Sequence, residues 1–472
     1  MKEHLDTENV LFVIFVAVLL SITGAMGWVV YRIPPKDPAK TIKILIPADT
    51  QYVDRQARLT EAYRKLHPDA DIEPIRFPWD NIWQKLEYMI VANIPPDISG
   101  MQQPNLPKFV STGEVEPLDK WIESDPSFSM DAIYKEVLDE GNWDNKQWSL
   151  PESFSTTCLW YNKNLFDEAG LAYPTADWTQ EDLVANAKKL TRDINGDGVP
   201  DYWGFFTDNN HWNRYPSFIW QRGGDFNTPD MTRSTFDSPI TIEGMRWLAN
   251  LSLKDRVMPT TTVMGTTNVA NLFISGHLAM TIQTRYFLSS FFQGKNVSKV
   301  KSFDWDVCEL PHEKFRATTL ILDLDIIPST VPPERKRMAW EYMKFLVSGT
   351  GQQIIADDNT ALPVIKELAE KTVVHPGRQP AHDHAFLDCV SYARYFYHPF
   401  PADEAFMDGR SDLQGVWNGD LDVAEVCQKI TLSMNKAVDD YLRANPDAHL
   451  PVKTKWVPPS QRSANMQSTA AQ

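Results

Sequence analysis

Residues 150–171 read LPESFSTTCLWYNKNLFDEAGL, and this stretch is the most informative in the chain. Pro151 removes a backbone donor, and the residues after it are rich in β-branched and aromatic side chains, so the first part predicts an extended strand. Asn162 is a suitable helix cap and Gly170 a suitable stop. The stretch therefore predicts a strand that passes directly into a helix of about two turns.

The chain ahead of this stretch alternates between strand and helix patterns. Residues 41–46 and 72–77 are predicted strands, and residues 53–66 and 81–90 are predicted helices with apolar side chains at helical spacing. A short buried strand is predicted at 96–100. Such alternation indicates β-α-β units around a parallel sheet, so the sequence predicts an α/β fold.

Two polar side chains follow predicted strands at the edge where ligands bind in sheets of this kind. Asp49 follows the first strand, and Gln102 follows the short strand at 96–100. The carboxyl ends of parallel strands meet at one edge of a sheet, and ligands bind in the crevice outside that edge. Asp49 and Gln102 are therefore candidate ligand-binding residues.

Four further segments resemble a known protein family in the order in which they occur. They are GEVEPLDKWI at 113–122, PTADWTQEDL at 174–183, FISGHLAM at 273–280 and AWEYMKFL at 339–346. Together with residues 150–171, they resemble the extracellular solute-binding proteins of carbohydrate ABC importers, the maltose-binding-protein-like family 1. The resemblance covers nearly all of the chain after residue 41.

This resemblance implies a two-lobed periplasmic-binding-protein-like fold with a hinge. In that family the chain crosses between lobes at the segment that residues 150–171 resemble, and the sugar lies in the cleft beside the crossing. We expect lobe 1 to comprise 41–152 and 318–372, and lobe 2 to comprise 153–317 and 373–457. The resemblance implies capture of a sugar or oligosaccharide by hinge closure and delivery to an ABC permease.

Two alternatives to an ABC binding protein stay open at this point. One is an extracellular carbohydrate-active enzyme, because the carboxylates of glycosidases carry no local sequence signature. The other is a ligand-sensing subunit that docks on a receptor. No nucleophile elbow, phosphate-binding loop or paired-histidine zinc helix occurs in the sequence. We therefore expect no enzyme activity and name no catalytic residue.

A sugar site needs aromatic rings for the apolar sugar face and polar side chains for the hydroxyls. Glu152 lies at the turn into the expected cleft, although it could instead pair with a lysine at the hinge. After its Ala-Met segment the family has a glycine and then an aromatic residue that faces the ligand. This chain has Gln283, Thr284, Arg285 and Tyr286 in that region, so the aromatic residue is retained and the glycine is not. Arg285 could also form a structural ion pair.

Two tryptophans are further candidates for contact with the sugar. Trp212 lies in a strongly polar run, where a role in the core is less natural, whereas Trp220 has helical spacing that also suits a core residue. The predicted ligand-binding residues are Asp49, Gln102, Glu152, Trp212, Trp220, Arg285 and Tyr286.

Residues 193–201 read DINGDGVPD, which resembles a calcium-binding loop. Oxygen atoms at alternate positions and a glycine that turns the loop are what Ca²⁺ requires. The EF-hand pattern fails, because its twelfth position is Gly204 instead of glutamate. The same residues also make a polar turn well. No cofactor is expected to be required, and a structural Ca²⁺ would be held by Asp193, Asn195, Asp197, Val199 and Asp201.

The N-terminal region contains a long apolar segment at 10–31, after a tail at 1–9. About 20 uncharged residues can span a bilayer. The tail is acidic, unlike a signal peptide, so we predict one uncleaved transmembrane helix, with a cleaved signal as the alternative. Residues 32–40 would link this anchor to a domain on the extracytoplasmic (periplasmic or extracellular) side of the cell membrane, and residues 458–472 are predicted to be disordered.

Charge and cysteine content limit the possible partners. Lys and Arg number 46 against 62 Asp and Glu, which gives a net charge of −16. Such an acidic surface repels phosphates, so anionic lipid is a poor candidate for a partner and no nucleic-acid partner is expected, whereas neutral or cationic ligands are favoured. The 4 cysteines contain no C-x-x-C pair, which argues against zinc and against a disulfide scaffold. We expect free buried thiols, and long-range disulfides stay possible.

Overall fold

The computed structural model describes residues 37, 39–208, 214–289, 304–374 and 377–455. Within these ranges the strands are β1 (Thr41–Pro47), β2 (Asp71–Phe77), β3 (Ile98–Gln102), β4 (Asn142–Trp143), β5 (Lys146–Gln147), β6 (Leu150–Asn162), β7 (Met280–Thr284), β8 (Trp305–Cys308), β9 (Thr318–Ile326), β10 (Leu362–Pro363) and β11 (Ala393–Arg394). The α-helices of the same ranges are Thr50–Leu66, Ile82–Val91, Leu106–Ser111, Asp119–Ser124, Lys135–Asp139, Lys163–Glu168, Gln180–Leu190, Pro216–Arg222, Pro239–Leu253, Thr261–Met264, Val269–Ile274, Pro333–Leu346, Gly349–Asp358, Lys366–Thr372, Ala385–Asp388, Asp403–Asn418 and Val423–Ala444.

The main sheet is mixed, with the strand order β10-β6-β9-β3-β1-β2. β1 pairs in parallel with β2 and with β3, as the alternation of strands and helices predicts. β9 then enters antiparallel between β3 and β6. The prediction of parallel pairing therefore holds for the first three strands, and the antiparallel part comes from strands that lie far apart in sequence.

The long strand β6 changes its neighbours along its length. Residues 150–156 pair with β9, and residues 157–161 pair with β7. β8 pairs with residues 159–162 on the other side. One continuous strand thus belongs to two different parts of the sheet. The stretch that the sequence singles out is the strand that joins them.

Side-chain caps fix the starts of the two helices that follow β6, and the cap at Asn162 is the one that the sequence predicts. The Asn162 side chain accepts a hydrogen bond of 3.3 Å from the backbone N–H of Leu165 and so caps the helix Lys163–Glu168. Thr179 and Asp182 form a reciprocal capping box at the start of Gln180–Leu190. Such caps satisfy N–H groups that have no partner inside the helix.

Aromatic packing holds the second half of β6 in the core. Trp160 is fully buried, and its ring stacks on that of Trp305 with centroids 5.0 Å apart. The ring of Phe287 meets the Trp160 ring edge-on, with centroids 5.2 Å apart. The Trp160 indole N–H donates to the carbonyl of Gln283 at 3.1 Å. Trp160 therefore contributes to packing and is not available to a ligand.

The helix Thr50–Leu66 is held against the sheet by aromatic contacts. Tyr63 is buried and meets the rings of Tyr342 and Phe345 edge-on, at centroid distances of 4.8 and 5.2 Å. Both partners lie in the helix Pro333–Leu346. Because this contact fixes the last part of the helix, the side chains of its first turns have a defined position at the edge of the sheet.

Arg285 forms a fully buried ion pair with Asp383. Its Nε lies 3.0 Å from Oδ1 of Asp383, and its Nη2 lies 2.6 Å from Oδ2. The same guanidinium donates to the carbonyl of Ala361 at 3.2 Å and to Oδ1 of Asn359 at 2.8 Å. This side chain therefore joins three chain segments, which is the structural role left open above.

The thiols of the described residues are free, as expected. Cys158, Cys389 and Cys427 are buried, and the sulfur atoms of Cys158 and Cys389 lie 3.8 Å apart. Burial raises the pKa of the Cys158 thiol, which keeps it protonated and unreactive.

The predicted membrane anchor at 10–31 lies outside the described residues, as do the tail at 1–9, most of the linker 32–40 and the C-terminal tail 458–472. Among the described residues, no helix combines the length and the apolar character that crossing a membrane requires.

We expect Asp383→Asn to lower the free energy of unfolding by about 3–5 kcal/mol, because it leaves a buried guanidinium without its counter-charge. The double variant Arg285→Met/Asp383→Leu should recover much of this loss, because apolar side chains replace a buried ion pair at little cost. Chemical denaturation followed by circular dichroism measures both changes.

Asp177→Asn is the matched control, because Asp177 is exposed and pairs with Arg316 at 3.1 Å on the surface. It should change the free energy of unfolding by less than about 1 kcal/mol. An Asp383→Asn variant as stable as this control would contradict the structural role of the buried pair.

Candidate functional site

The carboxylate of Asp323 is the centre of a polar cluster at one edge of the sheet. Asp323 lies in β9, opposite Gln102 in β3 and Ser153 in β6. Its carboxylate accepts hydrogen bonds from Tyr52 at 3.2 Å, Ser153 at 2.9 Å and Tyr286 at 3.2 Å. Hydroxyl groups from three distant segments therefore converge on one side chain.

Arg55 supplies the positive charge of this site. Its Nη1 lies 3.3 Å from Glu152 and 3.7 Å from Asp323, and its Nε lies 2.7 Å from Asp358. Only 3% of the Arg55 side chain is exposed, so these contacts are little screened by water. Tyr52, Arg55, Glu152, Ser153, Tyr286 and Asp323 are called the Asp323 cluster below.

Local structure explains why these side chains meet. Tyr52 and Arg55 are three residues apart near the start of the helix Thr50–Leu66, and residues at this spacing share one helix face. That helix follows the carboxyl end of β1. The pairing of β6 with β9 shifts its register between Pro151 and Ser153, which leaves Glu152 out of the ladder. Such an irregularity redirects a side chain at a sheet edge.

Aromatic rings lie beside the cluster. The rings of Tyr52 and Trp79 are stacked, with centroids 5.4 Å apart and an angle of 23° between their planes. Trp83 meets Trp79 edge-on at 5.4 Å. All three rings are only partly buried. The site thus offers aromatic faces next to carboxylates and hydroxyls.

A small pocket opens between this edge of the sheet and its helices. Ile44, Leu59, Ile82 and Met101 contribute apolar wall, while Asp325 and the cluster residues Arg55, Glu152 and Asp323 contribute charge. The cavity volume is about 40 Å³, which is room for about three water-sized groups. Asp323 and Asp325 both line it, because residues two apart in a strand share one face.

Burial changes the acidity of the groups in this pocket. It raises the pKa of Glu152, an effect that Arg55 opposes and Asp323 reinforces. It also raises the pKa of Asp325 well above the usual value, and the charges of Glu152 and Asp323 add to this. Burial and the Asp323 charge likewise raise the pKa values of Tyr52 and Tyr286. Both tyrosine hydroxyls are therefore protonated donors at neutral pH.

The structure brings several of the predicted site residues together. Glu152 and Tyr286 are members of the Asp323 cluster, and Gln102 is the register partner of Asp323 at the end of β3. Asp49 is exposed, and it precedes the helix Thr50–Leu66 without a capping hydrogen bond from its side chain. Trp212 lies outside the described residues.

Two other predicted residues are engaged elsewhere. Trp220 is only 3% exposed, its indole N–H donates to Asp225 at 3.3 Å, and the guanidinium of Arg394 covers its ring at 4.5 Å. These contacts fit the core role that its helical spacing allows. Arg285 uses its guanidinium in the buried pair with Asp383.

Sequence reasoning missed Tyr52, Arg55, Trp79, Asp323 and Asp325. Trp79 follows β2, so the strand-end argument that selected Asp49 and Gln102 could have found it. Asp323 and Asp325 interrupt the apolar run of β9 at alternate positions, which is also a readable signal. Arg55 gave no such signal, because a charged residue on an amphipathic helix is ordinary.

The structure gives the predicted calcium site no support. The Asp193 carboxylate accepts the backbone N–H groups of Gly196 and Gly198 at 2.7 and 2.8 Å, and Asp201 accepts that of Ile194 at 2.7 Å. The Asn195 side chain likewise accepts the backbone N–H of Asp197, and the Asp197 carboxylate accepts that of Val199, both at 2.8 Å. Across the described ranges, no three His, Cys, Asp or Glu side chains are grouped to hold a metal ion. Residues 193–201 form a polar turn, which is the structure that the sequence analysis gives as the alternative to a calcium-binding loop.

Residues 48–353 match the family of bacterial extracellular solute-binding proteins, and this range contains every residue of the Asp323 cluster. The chain belongs to this family. Because the family is extracellular, the domain of this solute-binding protein lies on the extracytoplasmic side. Proteins of this family need no cofactor.

Known relatives agree with this assignment. A Brucella abortus protein described as a binding protein is 26% identical over 313 residues, which are 66% of this chain and 72% of the relative. An ABC substrate-binding protein of Listeria monocytogenes, solved with cycloalternan, has a TM-score of 0.73 at 24% identity over 84% of this chain and 99% of that chain.

A maltose/maltodextrin-binding domain of Bdellovibrio bacteriovorus, solved with maltotriose, has a TM-score of 0.67 at 17% identity and covers 85% of this chain and 100% of that chain. At these identities the structures establish the fold alone. The solute-binding protein therefore has the two-lobed, mixed α/β fold that the sequence resemblance implies.

We expect Asp325→Asn to stabilise the ligand-free solute-binding protein at pH 7 by about 1–3 kcal/mol, because it removes a carboxyl whose ionisation is opposed by burial. The pKa of Asp325 is raised in the folded state, so the folded protein holds the proton more tightly than the unfolded chain. Wild-type stability should therefore fall as pH rises from about 4 through the folded-state pKa.

Thermal unfolding of both proteins between pH 4 and pH 8 measures this effect, and the two curves should converge at the acid end. Asp69→Asn is the control, because its side chain is 95% exposed. This exposed substitution should change the free energy of unfolding by less than about 0.5 kcal/mol. A destabilised Asp325→Asn variant at pH 7 would show instead that the carboxylate makes favourable contacts in the native state.

Proposed function

We propose that this protein binds a sugar or oligosaccharide at the Asp323 cluster and delivers it unchanged to an ABC permease. The observation that supports this most is the stacked pair of Tyr52 and Trp79 beside the carboxylates and hydroxyls of the cluster. A sugar has an apolar face of C–H groups that packs on aromatic rings, and hydroxyls that pair with acids and hydroxyl groups.

The ligands of similar proteins support a saccharide. The Listeria protein was solved with cycloalternan, and the Bdellovibrio domain with maltotriose. A structurally similar Arthrobacter globiformis protein binds cyclic α-maltosyl-1,6-maltose. These ligands are α-linked oligosaccharides, so this class is the first to test on the present chain.

Capture would use closure of two lobes about the hinge that contains β6. With lobe 1 at 41–152 and 318–372 and lobe 2 at 153–317 and 373–457, the cluster spans both lobes. Asp323 belongs to the first and Tyr286 to the second, and their side chains are hydrogen-bonded at 3.2 Å. A ligand that contacts both lobes favours the closed state by its difference in affinity for the two states.

The apolar segment at 10–31 would tether the protein to the cell membrane. It is long enough to span a bilayer, and the acidic tail before it is unlike a signal peptide. A tethered binding protein stays close to its permease, which raises its effective concentration there.

We expect Trp79→Ala to weaken binding of an α-linked oligosaccharide at least tenfold, because the ring provides part of the aromatic face. This corresponds to about 1.4 kcal/mol of binding free energy. Isothermal titration calorimetry with maltotriose, longer maltodextrins and cyclic α-glucans measures the change. Tyr88→Ala is the control, because Tyr88 is 61% exposed on the helix that follows Trp79 and should not alter the affinity.

Chromatography of the same mixtures distinguishes capture from catalysis. Binding heat with unchanged ligand supports a binding protein. Release of shorter sugars, with loss of that release in Glu152→Gln, would establish the enzyme alternative. Absence of binding across the saccharide panel would contradict the proposed function.

The full chain expressed in bacteria should remain in the membrane fraction after an alkaline carbonate wash, and a variant without residues 1–31 should be released to the soluble fraction. Mass spectrometry of the N-terminus in the mature protein tests whether the segment is retained. A mature chain that begins after residue 24 would identify a cleaved signal and overturn the tether.

A further inference from the structure

The pocket beside the Asp323 cluster is lined by more acidic than basic side chains. Glu152, Asp323 and Asp325 line it, and among the described residues of its lining only Arg55 is positively charged. Arg55 is also committed to Asp358, which lies outside the lining, at 2.7 Å. The pocket is therefore short of positive charge whenever its carboxyls are ionised.

Among the acids that line the pocket, Asp325 is the one without a partner in the described part of the chain. It is only 5% exposed, and within the described ranges no group forms a hydrogen bond or an ion pair with its carboxyl. Asp323, on the same face of β9, accepts three hydroxyl donors and faces Arg55. A buried carboxyl without a partner is costly in a native protein. Since Asp325 lines the pocket, a ligand can supply what the protein does not.

The pocket also holds a donor without an acceptor. The indole N–H of Trp83 is buried and has no hydrogen-bond partner in the described structure, and Trp83 belongs to the same lining. One unpaired acid and one unpaired donor in one cavity indicate a ligand group with both a cationic donor and a nearby oxygen. An amine beside a hydroxyl on a sugar ring has this pattern.

The size of the cavity limits what enters it. A volume of about 40 Å³ admits a substituent such as an amine or a hydroxyl, and a sugar ring needs far more, because pockets for whole ligands measure about 300–1,000 Å³. The ring would therefore stay outside, against Tyr52 and Trp79, with one substituent directed inward. The aromatic faces of Tyr52 and Trp79, which also line the pocket, attract cations as well as C–H groups.

A cationic substituent explains these features better than a neutral one. A hydroxyl could donate to Asp325, yet it would bring no positive charge to balance the carboxylate when Asp325 is ionised. A protonated amine donates and also neutralises, which is what makes a buried carboxylate tolerable. The net charge of −16 on the whole chain also favours the approach of a cation.

We propose that the solute is an amino-bearing saccharide whose protonated amine binds Asp325 in this pocket. This proposal rests on the proposed function, since it names the class of saccharide that the same site selects.

Calorimetry with matched ligands tests it on the full chain at pH 7.5. One set is the β-1,4 trimer of glucosamine, the trimer of N-acetylglucosamine and cellotriose, which differ only in the group at C2. A second pair is kanamycin and its fully N-acetylated derivative, whose amines lie at other ring positions. In at least one set the free amine should bind at least tenfold more tightly than its neutral counterparts.

Asp325→Asn should abolish this preference, whereas Asp69→Asn, which removes the same charge from an exposed position, should retain it. Thermal unfolding confirms that both variants are folded. An amine preference that persists in Asp325→Asn would overturn the assignment of the amine to this pocket.

The failure of this inference and that of the proposed function are distinguishable. If neutral saccharides such as maltodextrins bind and no amine is preferred, the amine proposal is wrong and saccharide capture stands. If no saccharide binds, charged or neutral, the proposed function fails and the amine proposal fails with it.

Discussion

Burial of charge is the constraint on which this structure depends, and two arginines meet it in different ways. Arg285 is enclosed by Asp383, Asn359 and the carbonyl of Ala361, so its donors are used within the protein. Arg55 is shared among Glu152, Asp323 and Asp358. The first arrangement is closed and supports the fold. The second leaves carboxyl groups in excess, and that excess lies at the edge of the sheet where ligands bind.

The Asp323 cluster is ordered by hydrogen bonds within the protein, so the proposed binding site is assembled without a ligand. Hydroxyls of Tyr52, Ser153 and Tyr286 hold the Asp323 carboxylate in one orientation. Side chains fixed by their neighbours lose little conformational freedom when a ligand binds, which preserves affinity. Under the proposed function, a sugar hydroxyl that binds Asp323 would displace these hydroxyls or share the carboxylate with them. The site is therefore ordered and also exchangeable.

The sequence predicts the fold further than it predicts the site. Strands β1 to β3 and their helices follow from local periodicity, and the crossing strand β6 follows from its composition and flanking residues. Glu152 was predicted because it lies at that crossing, and Tyr286 because it follows the segment that resembles the family's Ala-Met segment. The contact between Arg55 and Asp323 was not predicted, because it depends on the pairing of strands 160 or more residues apart, which local patterns do not encode. Trp220 was predicted to contact the sugar, but its ring is packed in the core, which its helical spacing also allowed.

The position of β9 in the sheet determines the order in which the chain can fold. β3 and the first half of β6 both pair with β9, whose residues 318–326 come late in the chain. Local contacts form early, whereas such distant pairings are slow because a long loop must close first. The N-terminal third of the chain therefore cannot complete its sheet until residue 326 is available. While the chain is being made, β3 and the first half of β6 therefore present strand edges whose partner has not yet been synthesised.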